Sequence, residues 1–145
     1  MKITLLAVGR QKEAGGFREM ERFYRDRIAP FAKLDIVELK EGRNVAEDTA
    51  QLVKRIPNGA FVVALREEGR RLDSKGFAEL LKKQRDASRE VVFVIGGAYG
   101  FGGVGEDVAL SIAPWTLNHL LARLTLLEQI YRAFSILSGG KYHHG

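Results

Sequence analysis

The stretch EVVFVIGGAYGFGGVG, residues 90–105, decides the fold. Its first half, Val91 to Ile95, is an unbroken apolar run closed by Gly96 and Gly97. Such a run offers no polar face to water, so it reads as a buried strand that needs helices to cover it. The chain on either side supplies them. Toward the N-terminus, KGFAELLKKQRDA (75–87) has helical spacing with Ser74 as its cap, and AFVVALR (60–66) is another strand. Before these come a helix, VAEDTAQLVKRI (45–56), stopped by Pro57, and the strand DIVELK (35–40). GFREMERFYRDRIAPFAKL (16–34) spaces Phe17, Met20, Phe23, Tyr24, Ile28 and Phe31 for one helix face, and ITLLAVG (3–9) is a buried opening strand. Toward the C-terminus, DVALSI (107–112) is a short fifth strand, after which Thr116 caps a helix from Leu117 to Leu137. This alternation predicts an α/β fold with a mostly parallel sheet and helices on both faces. With no repeat, linker or low-complexity tract, residues 1–145 read as one domain.

Composition narrows the function. The chain has no cysteine, which excludes disulfides, thiolate catalysis and cysteine-bound metal. MKITLLAVGR has too short an apolar run for a signal peptide, and no other stretch reaches membrane-spanning length free of charge, so a cytoplasmic protein is expected. The net charge of +5 suits a polyanionic partner. Of 23 Lys and Arg and 18 Asp and Glu, only Arg123, Arg132, Lys141, Glu106, Asp107 and Glu128 lie beyond residue 90. The basic excess therefore belongs to the first two-thirds, and the neutral, glycine-rich last third resembles a small-molecule pocket.

The second half of the opening stretch carries glycine at 96, 97, 100, 102, 103 and 105. Glycines directly after a buried strand let the backbone turn sharply and approach a ligand, but the spacing is neither a dinucleotide fingerprint nor a phosphate loop. A plain β-to-α connection fits the motif equally well. In LSIAPWTL (110–117), Pro114 and Trp115 interrupt strand pairing and free backbone groups for a ligand edge such as adenine; a strand end with a buried aromatic is the commoner reading. The last helix carries a broad apolar face from Leu117 to Phe134, wide enough for core and a second subunit. His119, Arg123, Glu128 and Arg132 fall on or beside it, and His119 reads first as a structural histidine. The ending KYHHG holds two of the three histidines, where side chains able to move a proton or stack compete with a frayed terminus.

The ordered set VIGGAYG, LSIAPWTL, LLARLTLLEQIYRAFSI and the final YHH resembles the RlmH family, SPOUT-superfamily methyltransferases of large-subunit ribosomal RNA, along the whole chain. The resemblance implies a C-terminal trefoil knot, a homodimer, and S-adenosylmethionine-dependent methylation of N3 of a pseudouridine in helix 69 of the rRNA, on the assembled ribosome. It carries the cofactor contacts onto Leu65, Gly96, Ile112, Ala113, Pro114, Trp115, Thr116 and Leu117, with no metal. It carries the catalytic tail onto Tyr142 and His143, the first to stack on the target base, the second to act as base or to orient it. Against the family pattern, Lys141 replaces a proline, His144 a basic residue, Asn118 a proline, and the stretch from Gly100 to Ser111 is short for the usual intervening helix. Two other functions are weighed: a non-catalytic basic ribosome- or RNA-binding module of the same fold, and a nucleotide-binding regulator using the glycine loop.

Overall fold

The computed structural model describes residues 1–10 and 15–145. Five strands, β1 (Lys2–Val8), β2 (Lys33–Leu39), β3 (Phe61–Arg71), β4 (Val91–Ile95) and β5 (Val108–Ser111), form one sheet in the order β2-β1-β4-β3-β5, and every pairing is parallel. Four helices accompany them: α1 (Phe17–Ile28), α2 (Val45–Arg55), α3 (Ser74–Asp86) and α4 (His119–Leu137). The expected α/β architecture is the one observed.

Strand alternation divides the core in two. Ile3, Leu5, Val63, Val91, Phe93 and Ile95 point toward Ile28 of α1, Phe77 and Leu81 of α3, and Leu126, Leu127, Ile130 and Phe134 of α4. Their neighbours Leu6, Val8, Val62, Val92 and Val94 point the other way, toward Leu52 of α2. All five residues of β4 are buried, as a central strand covered on both faces requires.

Several boundaries differ from the sequence reading. α1 stops at Ile28, because Pro30 cannot extend it. Phe31 then lies in the following turn, its ring stacked on Phe134 at 5.3 Å and 2°. On α1 the buried positions are Phe17, Glu21 and Ile28, while Met20 and Phe23 face outward. Glu21 takes a core position because Arg123 of α4, 4% exposed, reaches its Oε2 at 2.9 Å and Glu38 of β2 at 2.7 Å. Asp73, not Ser74, caps α3, accepting from the Gly76 amide at 2.7 Å, while Ser74 Oγ donates to Gln129 of α4. Asn118, not Thr116, caps α4, so that helix starts at His119 and spans 19 residues.

β3 runs past the predicted Arg66 to Arg71, with a register break between Leu65 and Arg70 where it pairs with β5. Gly69 permits the break: a Cβ there would lie 2.7 Å from the Leu110 carbonyl carbon. Residues 96–107 connect β4 to β5 across β3 without a helix, in keeping with the short stretch noted in the sequence.

Candidate functional site

The C-terminal ends of parallel strands gather loops and free backbone groups, and here β4 and β5 end on either side of the register break in β3. A cleft of about 700 Å³ opens there. Its walls come from three separate segments: Leu65 to Glu68 inside β3, where its pairing with β5 breaks, the glycine loop from Gly96 to Phe101 after β4, and, from the end of β5 onward, Leu110 to Ala113 and Trp115 to Asn118. His119 and Ala122 at the start of α4 close one end. Of the eight expected cofactor contacts, Leu65, Gly96, Ile112, Ala113, Trp115, Thr116 and Leu117 line this cleft, and Pro114 does not. Trp115 is 77% exposed at the rim and Tyr99 57%, so the aromatic of the β5 exit is not a buried one. His119 is also exposed at the rim, rather than a satisfied structural histidine.

The glycine loop is held by side chains from other parts of the chain. Glu41 accepts from the Ala98 amide at 3.0 Å, and Thr49 Oγ1 from the Gly102 amide at 2.8 Å. Arg66 takes the carbonyls, donating to Phe101 O at 2.9 Å and Gly102 O at 2.6 Å while Nε reaches Glu106 at 2.8 Å. Burial would raise the Glu106 carboxyl, but the Arg66 hydrogen bond and charge outweigh it and hold that group below the usual carboxylate range. Gly96 is constrained by its own loop: a Cβ would stand 2.7 Å from Phe101 Cδ1 and 3.3 Å from the Gly100 Cα. Arg66 was not legible in the sequence, because its partners lie 35 to 40 residues away and no local spacing marks them.

The tail lies elsewhere, folded along the second half of α4. Tyr142 donates to Glu128 Oε2 at 2.8 Å, Arg132 grips both oxygens of Glu128 at 3.1 and 2.8 Å, and Arg132 Nη1 stands 3.0 Å from His143 Nδ1. A guanidinium only donates, so His143 Nδ1 accepts and the ring proton of the neutral imidazole sits on Nε2. The Tyr142 ring packs edge-on to Tyr131 at 4.7 Å and under the Arg132 guanidinium at 4.8 Å. Burial, then hydrogen bonds with Tyr24 and Glu128, push the Tyr142 phenol far above its ordinary range. For Glu128, burial acts upward but the bonds from Arg132 and Tyr142 win and hold it low. Glu128 and Arg132, which the sequence placed beside the apolar face without a role, are thus the anchors of the tail.

A family model described as "Predicted SPOUT methyltransferase" matches residues 1–143. The chain belongs to the SPOUT methyltransferase family. Among its relatives, the protein named "Ribosomal RNA large subunit methyltransferase H" of Gemmatimonas aurantiaca is 43% identical across 99% of both chains. Proteins of the same name from Gluconacetobacter diazotrophicus, 41% identical over 97% of this chain and 96% of the relative, and from Pelobacter propionicus, 38% identical over 99% and 100%, are similar throughout. As a SPOUT methyltransferase the chain needs a place for a methyl donor, and among the described residues no group of three or more His, Asp or Glu is arranged to hold a metal.

Proposed function

We propose that this protein transfers a methyl group from S-adenosylmethionine to N3 of a pseudouridine in helix 69 of large-subunit rRNA, on the assembled ribosome and in the cytoplasm. The observation that carries the reading is the three-segment cleft, whose volume of about 700 Å³ lies within the range of small-molecule sites. The lining residues fit the donor. Leu65, Ile112 and Leu117 offer apolar walls for an adenine, and the backbone between them offers hydrogen-bonding groups for its edge. Glu67 and Glu68, both exposed on the cleft, supply negative charge toward a cationic ligand. When bound, the donor supplies an electrophilic methyl on a sulfonium, so the chain has to orient an in-line nitrogen and let the N3 proton leave.

In this reading residues 1–145 form one SPOUT domain, its C-terminal part threading the trefoil knot, and two chains make the enzyme. Two observations support the homodimer. Along α4, Glu128 and Arg132, which hold the tail, lie six and ten residues beyond Ala122, about 9 and 15 Å at the helical rise, and none of residues 142–145 lines its own chain's cleft. Leu121 of α4 is a large apolar side chain left 55% exposed and open to a second copy. A second copy related by a twofold axis brings Tyr142 and His143 of one chain to the cleft of the other. Held by Arg132, His143 presents Nε2–H as a donor and orients a carbonyl of the target base; taking the N3 proton would first require Nδ1 to leave Arg132. On α1, exposed Arg18, Arg22 and Arg25 give phosphates a basic face, joined by Arg10.

The test is to incubate the protein with ribosomes and labelled S-adenosylmethionine, then locate the methyl by mass spectrometry of the rRNA. Methylation of one pseudouridine at N3 is expected. Cofactor binding without methylation of any rRNA would sink the substrate assignment. No cofactor binding at all would leave the non-catalytic RNA-binding module in its place.

A further inference from the structure

We infer that Arg66 is a positioning residue for the cofactor: its guanidinium braces the loop from Phe101 to Glu106 so that Gly96 and Gly97 meet the ligand with their backbone already shaped. The inference deepens the reading of the cleft as the methyl-donor site and rests on it. A connection with six glycines between positions 96 and 105 has much conformational freedom to lose, and a ligand that must order such a segment binds more weakly for it. Arg66 removes that freedom beforehand. Its side chain, only 18% exposed, uses every arm of the fork: Nε on Glu106, Nη1 on the Phe101 carbonyl, Nη2 on the Gly102 carbonyl and Glu106.

The brace reaches the ligand through one ring. The Arg66 guanidinium carbon lies 4.2 Å from the Phe101 ring centroid, and the edge of that ring fills the space where a side chain on Gly96 would stand. Moving Arg66 therefore frees Phe101, and freeing Phe101 lets Gly96 shift. Loop carbonyls are fixed by Arg66, whereas the amides of Ala98 and Gly102 are fixed by Glu41 and Thr49. A lysine cannot substitute, since one ammonium has neither the planar fork nor the reach to serve two carbonyls and a carboxylate together.

The experiment follows cofactor binding by the emission of Trp115, the single tryptophan, which stands on the cleft rim. Arg66→Met is expected to raise the Kd for S-adenosylmethionine roughly 10- to 100-fold, the loss typical when a group that holds a binding residue in place is removed. The KM for cofactor should rise in parallel, with kcat at saturating cofactor and the KM for RNA at wild-type levels. Amide exchange of residues 97–105 should speed up in the free variant and slow again when cofactor saturates it. Arg66→Lys and Glu106→Gln should move the same way by less, and they carry the test should Arg66→Met not fold. Wild-type affinity in Arg66→Met, or a fall in kcat that saturating cofactor does not restore, would overturn the inference. If the wild type itself binds no S-adenosylmethionine, the methyl-donor reading fails instead, and unchanged loop exchange in the free variant then removes the brace as well.

Discussion

Tyr142 donates its hydroxyl hydrogen to Glu128 Oε2 at 2.8 Å, and this bond, with the Arg132–His143 contact beside it, ties the end of the chain to the helix it has just left. The bond needs a charged carboxylate and a neutral phenol, and both groups are shifted in the direction that keeps it. The Glu128 carboxyl sits below its ordinary value of 4.5 and the Tyr142 phenol well above its ordinary 10.0. A depressed carboxylate contributes stability above its unfolded value and loses it as pH falls through the folded one. A raised phenol contributes below pH 10 and loses it only as pH climbs through its folded value.

The tail should accordingly stay latched from mildly acidic to strongly alkaline pH. Absorbance at 295 nm reports phenolate formation, and the chain has four tyrosines. One of them is expected to ionise beyond the usual phenol range, and Tyr142→Phe should delete that late component. A titration in which Tyr142→Phe removes an ordinary component near pH 10 would show the latch to be open in solution.

Glycines of the loop should separate by position. Gly96→Ala forces a methyl to within 2.7 Å of the Phe101 ring and 3.3 Å of the Gly100 backbone, so the loop must move and cofactor affinity should fall. At Gly103 an added Cβ meets nothing within 4 Å, so Gly103→Ala should bind like the wild type. Calorimetric titration of both variants checks this, and equal affinities would detach Gly96 from the site.

Arg123 should matter to stability more than any exposed charge. It is buried with Glu21 and lies 2.7 Å from Glu38, its Nε without a hydrogen-bond partner. Arg123→Met removes the buried cation that both carboxylates share and leaves the buried Glu21 with only the longer 3.9 Å contact to Arg25, so about 3–5 kcal/mol should be lost. Urea denaturation gives the number. A change below about 1 kcal/mol would place the trio among surface pairs of little worth.

The same trio explains what the sequence concealed. Strand β4 was legible because burial on both faces leaves an unbroken apolar run bounded by glycines, and β1 because only Thr4 interrupts its run from Ile3 to Val8. The inner face of α1 was not, since its central position is a glutamate whose partner stands 102 residues later, and periodicity counts a charge as outside. Both helix caps were misplaced by one or two residues because neighbouring polar side chains compete for one job, and only geometry selects Asp73 over Ser74 and Asn118 over Thr116. Around the cleft, Leu65, Gly96 and the segment after β5 came from family resemblance, while Arg66 had no local signal. Trp115, read more readily as core, is exposed because the strand ends before it.

The position of the tail leads to the sharpest test. If Tyr142 and His143 serve the partner's cleft, removing residues 142–145 should leave cofactor binding intact and abolish transfer, because no residue of that segment lines the cleft. Single substitutions should grade the effect: His143→Ala should lower turnover more than His144→Ala, since Arg132 holds His143 in place. A loss of roughly 10²- to 10⁴-fold, typical of general-base catalysis, would mean that His143 leaves Arg132 to take the N3 proton, whereas a smaller loss fits orientation of the base alone. Cis and trans arrangements then separate by mixing. A chain without its tail keeps a working cleft, and a Gly96→Val chain keeps a working tail. In a mixed dimer, trans action unites the intact tail with the intact cleft and restores one site of the two; random pairing at equal amounts should give roughly a quarter of wild-type activity. Cis action leaves each chain of the mixed dimer one part short, and activity stays at zero. An inactive mixture in which mixed dimers are shown to form would therefore return the tail to its own chain, and with it the need to swing Tyr142 off Glu128 before each turnover.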